Sequence, residues 1–291
     1  MKGIILAGGA GTRLYPLTKS VSKQMLPVHD KPMIFYPLSI LMLSGIRDIL
    51  IITTPRDRSS FENLLGNGDN LGINISYKEQ NEPRGIAEAF LLGEDFINDD
   101  PVTLILGDNL FFGYDLVQTF KNAIKNLKKA TIFAYPVKNP SDYGVVEFNK
   151  KNEVISIEEK PQQPLSRYAV TGIYMYDGSI VDIAKNIKPS ERGELEITEI
   201  NKLFLDEGAL DVEIFGRGVA WLDTGSHQSL LEAGNFINII EKRQGFKVAC
   251  IEEIAWRNKW ISSEKLLEIA LALKNTGYGN YLLDLLDQKT S

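Results

Sequence analysis

The stretch that decides the fold is the beginning of the chain, Gly3-Ile-Ile-Leu-Ala-Gly-Gly-Ala-Gly-Thr-Arg-Leu14. Its apolar residues 3–6 predict a buried strand, and a glycine-rich loop that ends at Arg13 follows this strand directly. Backbone N–H groups that have no side chain beside them can approach an anion closely. Arg13 and Lys23 add two positive charges next to this loop. The beginning of the chain therefore indicates a site for a polyphosphate, such as a nucleoside triphosphate.

This loop differs from the two commonest phosphate-binding loops. A dinucleotide-binding loop has the spacing G-x-G-x-x-G, but the third position counted from Gly9 is Leu14. A nicotinamide-dependent oxidoreductase is disfavoured further because the second strand ends without an acidic residue, in Ile51-Ile-Thr-Thr54. A kinase-type loop ends in Gly-Lys-Ser/Thr, whereas this one ends in Gly11-Thr12-Arg13. A tight turn without any ligand would also explain the glycines, but the basic residues favour a phosphate site.

The composition is that of an ordinary globular protein and limits the classes of function. The 291 residues are 44% hydrophobic and 24% charged, enough for a large core, with or without a small appendage. The net charge of -6 and the absence of basic runs argue against nucleic acid as a partner. The apolar run at residues 3–7 is too short for a signal peptide, and no apolar stretch is long enough to span a membrane. We therefore expect a cytoplasmic protein without a membrane partner.

Cysteine and histidine usage restricts the chemistry further. The single cysteine, Cys250, excludes an internal disulfide and is expected to be a packed apolar side chain. The two histidines, His29 and His227, have no zinc-ligand spacing. A metal ion would therefore be bound by oxygen atoms, which suits Mg²⁺.

Strands and helices alternate through the first half of the chain. The predicted strands are residues 3–6, 48–53, 73–77, 102–106 and 131–135. The predicted helices between them are residues 33–44, 58–65, 86–97 and 116–126. This alternation predicts an α/β fold with a doubly wound, mostly parallel, Rossmann-like mixed sheet and helices on both faces. Ligands bind beyond the carboxyl ends of such strands, where both the glycine loop and Asp108 are expected to lie.

The pattern changes in the second half. Short strands are predicted at residues 145–148, 154–158 and 169–176 on the same sheet, followed by a long helix at residues 226–243 that Ser226 caps. Residues 251–286 predict two or three short helices. We therefore divide the chain into an α/β domain, residues 1–240, and a small C-terminal helical extension, residues 241–291.

Several motifs in a fixed order resemble the sugar-1-phosphate nucleotidylyltransferase family. The first reads GGxGTRLxPxTxxxxKxxLP and covers residues 8–27. The others are Lys31-Pro-Met-Ile-Phe-Tyr-Pro37, Leu106-Gly-Asp-Asn109, Tyr143-Gly-Val-Val-Glu-Phe148, Glu158-Glu-Lys-Pro161, Arg192-Gly-Glu-Leu-Glu-Ile-Thr198 and Ala220-Trp-Leu-Asp-Thr-Gly225. Each motif is weak alone, but together they extend to about residue 260. They narrow the resemblance to the branch that joins dTTP to glucose 1-phosphate, in its longer form with a C-terminal extension.

The resemblance implies a direct transfer of the thymidylyl group. A phosphate oxygen of glucose 1-phosphate would attack the α-phosphorus of dTTP, expel pyrophosphate and give dTDP-glucose, the first step of dTDP-rhamnose and related polysaccharide synthesis. No side-chain nucleophile is needed, so the protein must cancel the repulsion between two anions and align them. Arg13 and Lys23 are the candidates for the triphosphate, and Lys160 is the candidate for the sugar phosphate. These three form the predicted catalytic set.

The resemblance also implies a nucleotide site, with the base recognised by a carboxamide. Gln80 can both donate to and accept from the edge of thymine or uracil. The chain departs from the family here, because Asn81-Glu82-Pro83-Arg84 replaces the usual Pro-Ser-Pro-Asp before Gly85. One methyl group separates thymine from uracil, so the same chemistry with UTP, or with another sugar 1-phosphate, stays open as an alternative. The predicted nucleotide-binding residues are Leu6, Gly8, Gly9, Gly11, Thr12, Arg13, Lys23, Gln80, Gly85 and Asp108.

The sugar and metal sites are implied in the same way. The sugar-binding part covers about residues 143–225, and the metal ligands for Mg²⁺ are Asp108 and Asp223. A turn at Asp108 and a helix cap at Asp223 are alternative explanations of these carboxylates. The predicted sugar-binding residues are Asn109, Tyr143, Gly144, Glu159, Lys160, Val170, Tyr174 and Trp221.

Residues 247–257 resemble a segment that lines a second, regulatory nucleotide-sugar site at a subunit interface. The resemblance implies a homotetramer and a feedback inhibitor such as dTDP-rhamnose, bound by Gly113, Ala249, Glu253 and Arg257. A helix pair that only packs subunits together is the alternative. A non-catalytic nucleotide-sugar sensor is a remote alternative for the whole chain, because it would not need all the basic and acidic site residues that are present.

Overall fold

The structure, a computed structural model, describes residues 1–151 and 153–287. The β-strands are β1 (Lys2–Ala7), β2 (Pro27–Val28), β3 (Lys31–Pro32), β4 (Asp48–Thr53), β5 (Asn74–Glu79), β6 (Val102–Leu106), β7 (Asn109–Phe112), β8 (Ala130–Pro136), β9 (Gly144–Phe148), β10 (Val154–Glu159), β11 (Tyr168–Tyr176), β12 (Leu210–Ile214) and β13 (Ala220–Asp223). The α-helices are α1 (Phe35–Leu43), α2 (Arg58–Leu65), α3 (Glu88–Leu92), α4 (Glu94–Ile97), α5 (Leu116–Asn126), α6 (Ile180–Asn186), α7 (Ile197–Asp206), α8 (His227–Gln244), α9 (Ile251–Arg257), α10 (Ser263–Ala272) and α11 (Gly277–Asp287).

Among the described residues, one nine-stranded sheet organises the fold. Its order is β10-β9-β11-β6-β1-β4-β5, and β8 pairs with both β11 and β12. The pairs among β6, β1, β4 and β5 are parallel, whereas β11 is antiparallel to β6, β8 and β9. The predicted doubly wound, mostly parallel sheet with helices is confirmed. The strands that the second half of the chain supplies are part of this same sheet.

Successive residues of the central strand face opposite cores, because side chains alternate along a strand. Ile5 packs with residues of α1, α2 and α5, whereas Ile4 packs with residues of α3, α6 and α7. Both isoleucines are fully buried. A parallel strand covered on both faces needs apolar residues at every position, which explains the unbroken apolar run at the start of the chain.

One predicted helix, residues 86–97, is instead two short helices, α3 and α4, which meet at Gly93. A Cβ atom at Gly93 would lie 3.1 Å from Cδ1 of Ile4, so the glycine lets this segment pack closely against β1. Glycine also has a low helix propensity. The sequence pattern continues across this position because both short helices face the same core.

Two smaller features complete the frame of the site. A separate antiparallel pair, β7 and β13, sets Asn109 opposite Asp223. The long helix α8 begins after Ser226, whose side chain accepts a hydrogen bond from the Ser229 backbone, as predicted for a cap. The predicted short helices of the C-terminal extension are α9, α10 and α11. Within the described part of the chain, none of the helices is both long enough and apolar enough to cross a membrane.

Candidate active site

The glycine-rich loop after β1 has a backbone conformation that other residues rarely adopt. Gly9 has a φ angle of +96° and Gly11 has a φ angle of +59°. Gly11 precedes a short 3-10 turn, Thr12–Leu14, that carries Arg13. The Thr18 hydroxyl donates a 2.7 Å hydrogen bond to the carbonyl of Gly11 and fixes the end of the loop. The loop is therefore a defined turn in which the basic side chain follows the glycines immediately.

Gly8 is a glycine for a different reason. A Cβ atom there would lie 2.5 Å from Oε1 of Gln80, so any larger residue would force the carboxamide to shift. Gln80 follows β5 directly, and its backbone N–H donates a 2.8 Å hydrogen bond to the carbonyl of Thr53. Its side-chain Nε2 donates a 2.7 Å hydrogen bond to Glu88. Gln80 is 6% exposed, and its carboxamide thus lies directly beside the loop.

The loop encloses a cavity of about 200 Å³. Most of the predicted nucleotide-binding residues line this cavity, but Leu6, Gln80 and Gly85 do not. Leu6 lies in β1, where its carbonyl accepts a 2.9 Å hydrogen bond from Gly107. The lining residues are Gly8, Gly9, Gly11, Thr12, Arg13, Leu14, Lys23, Gln24, Asp108 and Gly225.

Gly85 packs against the segment that precedes α7. Its φ angle is +102°, and a Cβ atom there would lie 2.4 Å from the carbonyl oxygen of Leu195. The Leu195 N–H donates a 2.7 Å hydrogen bond to the carbonyl of Arg84, and the Ala87 N–H donates one of 3.1 Å to the carbonyl of Leu195. This packing accounts for the glycine. A contact between Gly85 and the base stays a prediction.

An ion pair joins the first loop to the end of β6. Lys23 Nζ lies 2.5 Å from Oδ2 of Asp108, and Lys23 is only 7% exposed. Burial raises the pKa of Asp108, but the Lys23 ammonium and hydrogen bonds, including one from Asn109, lower that pKa more, so the net shift is downward. Asp108 therefore stays ionised at neutral pH.

Asp223 lies near Asp108, although the two are far apart in the sequence. The β7–β13 pair sets Asp223 opposite Asn109, and the Thr224 hydroxyl donates a 2.8 Å hydrogen bond to the carbonyl of Asp108. Burial raises the pKa of Asp223, and the charge of Asp108 raises it further, while Lys23 and Arg13 lower it. Two neighbouring carboxylates, of which Asp108 raises the pKa of Asp223, form an oxygen-rich site that suits a divalent cation.

Gly225 is a site residue that the sequence analysis missed. A Cβ atom there would lie 3.0 Å from Oδ1 of Asp223 and 3.1 Å from Nη2 of Arg13. The glycine therefore leaves room for the Arg13 guanidinium beside the Asp223 carboxylate. The last glycine of the motif Ala220–Gly225 was the available signal, but no role had been given to it.

A second cavity, of about 260 Å³, adjoins the first, and Arg13 and Asp108 line both. All the predicted sugar-binding residues contribute to its wall, together with Asp223. The residues that line it are Arg13, Ile86, Leu106, Asp108, Asn109, Asp142, Tyr143, Gly144, Glu159, Lys160, Val170, Gly172, Tyr174, Glu196, Ile197, Thr198, Trp221 and Asp223.

Asn109 organises the boundary between the two cavities. Its Oδ1 accepts a 2.6 Å hydrogen bond from Nε1 of Trp221 and one of 3.2 Å from the Gly172 N–H. Its Nδ2 donates a 2.9 Å hydrogen bond to Asp108. These bonds hold an acidic group and an aromatic wall in fixed positions. Direct contact of Asn109 with a sugar stays a prediction.

One wall of the second cavity consists of two aromatic rings and the carboxylate of Glu159. The ring centroids of Tyr143 and Trp221 are 5.1 Å apart. The Thr198 hydroxyl donates a 2.5 Å hydrogen bond to Oε2 of Glu159. A Cβ atom at Gly144 would lie 3.3 Å from the same oxygen, so only a glycine leaves this space open.

Lys160 lies at the rim, in a strained turn after β10. Its φ angle of +45° is unusual for a residue with a side chain, and its N–H donates a 3.0 Å hydrogen bond to the carbonyl of Tyr143. Its ammonium lies 3.4 Å from Glu159. Arg192, which the sequence analysis quoted without a role, lies 3.7 Å from Glu159 and 2.8 Å from Glu196. Two cations therefore border one acidic group at this rim.

The predicted regulatory residues also lie around one cavity. Gly113, Ala249, Glu253 and Arg257 are part of the lining of a separate cavity of about 320 Å³. Arg257 Nε donates a 2.6 Å hydrogen bond to Glu253, which also accepts one from Tyr281 of α11. The C-terminal extension thus supplies most of these groups.

The fold and the paired cavities are those of a nucleotide-transferring enzyme, and the family comparison agrees. The family model described as nucleotidyl transferase matches residues 2–239, so the chain belongs to the nucleotidyl transferase family. The predicted resemblance to nucleotidylyltransferases is thereby confirmed.

Within that family, the chain is similar to thymidylyltransferases. It is 58% identical to the glucose-1-phosphate thymidylyltransferase of Neisseria meningitidis serogroup A, over 98% of this chain and 99% of the relative. A crystal structure of a candidate glucose-1-phosphate thymidylyltransferase from Bacillus anthracis matches with a TM-score of 0.75 and 42% identity, over 81% of this chain and 94% of the other. A UDP-glucose pyrophosphorylase structure with UDP-glucose matches with a TM-score of 0.72 and 29% identity, over 83% and 99%.

Proposed function

We propose that this chain transfers a thymidylyl group from dTTP to α-D-glucose 1-phosphate and releases dTDP-glucose and pyrophosphate. The observation that carries the proposal is the position of Arg13 and Asp108, which line both the loop cavity and the adjoining cavity. Relatives that carry this activity in their name, at 58% identity over almost the whole chain, support it.

Electrostatic repulsion between the substrates is the obstacle that this geometry overcomes. Two unit charges 4 Å apart repel by roughly 1 kcal/mol in water but by about 4 kcal/mol at an effective dielectric constant of 20. Arg13 and Lys23 place positive charge on the nucleotide side, and Lys160 and Arg192 place it on the sugar side. The sugar phosphate can then approach the α-phosphorus, and pyrophosphate leaves on the side of the glycine loop.

The polar groups of the second cavity suit a hexose. Glu159, which Thr198 holds, can accept hydrogen bonds from sugar hydroxyls, and the open space at Gly144 lets the ring approach the backbone. Tyr143 and Trp221 supply an apolar wall.

Asp108 and Asp223 would hold Mg²⁺ between the two cavities. Their carboxylate oxygens are the donors that this ion prefers, and a dication would relieve the repulsion that raises the pKa of Asp223. When bound, the ion supplies positive charge to the α-phosphate. Besides its charge on the nucleotide side, Lys23 keeps Asp108 ionised and oriented.

The base is recognised by Gln80, beside Gly8. The same chemistry with UTP is the second candidate function, because uracil offers the same hydrogen-bonding edge as thymine. The similarity to a UDP-glucose pyrophosphorylase structure, at 29% identity, supports that alternative more weakly than the thymidylyltransferase relatives support dTTP.

Regulation and assembly form the finer part of the proposal. The cavity that contains Gly113, Ala249, Glu253 and Arg257 would take an end product such as dTDP-rhamnose, in a homotetramer. The reaction would take place in the cytoplasm, as a single buried cysteine without a disulfide suggests.

A coupled pyrophosphate assay tests the proposal. The protein is mixed with glucose 1-phosphate and each of dTTP, UTP and dCTP, with and without EDTA. We expect release with dTTP, weaker release with UTP, and loss of both in EDTA. Tight binding of dTDP-glucose without any pyrophosphate release would instead favour a nucleotide-sugar sensor.

A further inference from the structure

The Gln80 carboxamide has one partner that determines its orientation. Its Nε2 donates a 2.7 Å hydrogen bond to Oε2 of Glu88, the first residue of α3. Its Oε1 is directed to the space beside Gly8, where a Cβ atom would lie 2.5 Å away. Among the described residues, no donor makes a hydrogen bond to this oxygen, and it is not one of their fully buried side-chain atoms without a partner, so it stays open to the space beside the loop. An acceptor without a partner therefore faces the glycine loop.

The chemistry of Glu88 leaves only one orientation of the amide. An ionised carboxylate accepts hydrogen bonds and donates none, so only the NH₂ end of the Gln80 amide can face it. The other end, the carbonyl oxygen, must then face Gly8. A glutamine at position 88 would not impose this choice, because an amide can donate or accept.

The orientation of Gln80 matters for the choice of base. Thymine and uracil carry a hydrogen on N3, which a carbonyl oxygen can accept. Cytosine has a lone pair on N3 and would require a donor at the same position. A fixed Oε1 therefore favours thymine and uracil, whereas a freely rotating amide would accommodate all three pyrimidines.

We propose that Glu88 is a positioning residue for base selection, which holds the Gln80 carboxamide with its oxygen toward the nucleotide. The proposal rests on the proposed function, because it takes Gln80 to be the residue that contacts the base. It explains why an acidic side chain lies beside a site that must bind a polyanion. The nearby Arg84 lies on the exposed side of the same loop and forms an ion pair with Glu82, so Glu88 remains available to Gln80.

The test compares kcat/KM for dTTP and dCTP in the full-length protein and its Glu88→Gln variant. We expect the ratio of dTTP to dCTP to fall about tenfold in the variant, mainly through KM, because the amide at position 80 can then turn. Glu82→Gln is the matched control, since it removes the same charge from the loop before α3, where Glu82 pairs with Arg84 and has no hydrogen bond to Gln80. The ratio of kcat/KM for dTTP to kcat/KM for dCTP in this control should equal that of the unmodified protein.

A double substitution separates positioning from a general structural effect. In a Gln80→Ala background, Glu88→Gln should not change the ratio further, because the group through which Glu88 acts is absent. Glu88→Ala serves as a second variant if Glu88→Gln does not fold. An unchanged ratio in the folded variant, or an equal fall in both backgrounds, would overturn the proposal.

Equilibrium binding of dTTP and dCTP, measured by calorimetry on the same proteins, distinguishes this outcome from failure of the proposed function. If the unmodified protein binds dTTP but releases no pyrophosphate, the proposed function fails, and the ratio of the two dissociation constants still tests Glu88.

Discussion

Nζ of Lys23 lies 2.5 Å from Oδ2 of Asp108. This ion pair joins the segment that follows β1 to the residues that follow β6. The pair lies where the two cavities meet, since Asp108 lines both of them. A buried lysine next to a carboxylate is fixed in position before any substrate binds. The site is therefore preorganised for charge neutralisation and does not depend on a flexible surface cation.

Removal of the Lys23 ammonium should therefore abolish turnover and leave the fold intact. Lys23→Ala is expected to lower kcat/KM for dTTP by at least about 1,000-fold, because one cation at the reacting phosphate is lost. Pyrophosphate release measures the rate, and circular dichroism measures the fold. Lys19→Ala, an exposed lysine in the same segment, should keep normal activity. Near-normal activity of Lys23→Ala would refute the role of this charge.

A methyl group at Gly8 should weaken nucleotide binding. The new Cβ atom would lie 2.5 Å from Oε1 of Gln80, so the carboxamide must move away from the base site. We expect KM for dTTP to rise about tenfold, with a smaller change in kcat. Gly234→Ala in α8, where the Cβ atom meets only one atom at 3.6 Å, should leave KM unchanged. If the Gly8 and Gly234 variants have the same KM for dTTP, the Gln80 carboxamide beside Gly8 does not contribute to nucleotide binding.

Loss of one carboxylate should weaken metal binding. Asp223→Asn is expected to raise the half-saturating Mg²⁺ concentration for pyrophosphate release at least tenfold, because one oxygen donor of full charge is lost. Asp206→Asn, which changes the net charge equally at the exposed end of α7, is the control. If both variants need the same Mg²⁺ concentration as the unmodified protein, Asp223 is not a ligand.

An ion cluster under the C-terminal extension should set part of the acid stability. Burial raises the pKa of Asp30, but hydrogen bonds and charges from Lys247 and Lys31 lower that pKa more, to below its ordinary value of 3.8. A carboxylate with a lowered pKa in the folded state contributes stability above about pH 4, and this stability is lost as the pH falls through the folded pKa. The two lysines also contact Glu241 at 3.0 Å.

Asp30→Asn should therefore lower the free energy of unfolding by about 1 kcal/mol at pH 7, because the Asp30 side chain is partly exposed to solvent. The difference from the unmodified protein should shrink below pH 3, where the native carboxyl group is also neutral. Urea unfolding at pH 7 and below pH 3 measures this difference in the free energy of unfolding. Asp211→Asn, in an exposed part of β12, serves as the control. A difference that stays constant with pH would show that charge at position 30 is not the cause.

Much of the fold followed from the sequence because its strands are buried on both faces. The strand 48–53 and the helices 58–65 and 116–126 have the predicted bounds. The short strands β7 and β13 were not predicted, since four residues such as Asn109–Phe112 carry no clear period. Their pairing is a tertiary contact, and it is this pairing that brings Asp223 to Asp108.

The sequence explains the type of a site residue only where the cause lies in the residues next to it. The glycines at positions 9 and 11 follow from local turn geometry. The reasons for Gly8, Gly85 and Gly225 lie in side chains and backbone from distant segments: Gln80, Leu195 and the Arg13–Asp223 pair. Sequence spacing contains no information on such contacts, so the motif Ala220–Gly225 marked this glycine but did not give its role.

A crystal structure of the protein with dTTP, Mg²⁺ and an unreactive sugar-phosphate analogue is the most direct test of the account. We predict that the triphosphate follows the Gly8–Arg13 loop, that Lys23 lies within hydrogen-bond distance of a phosphate oxygen, and that the base meets Oε1 of Gln80. A nucleotide bound elsewhere, with the loop empty, would contradict the central claim that this loop and its two cations form the site of transfer.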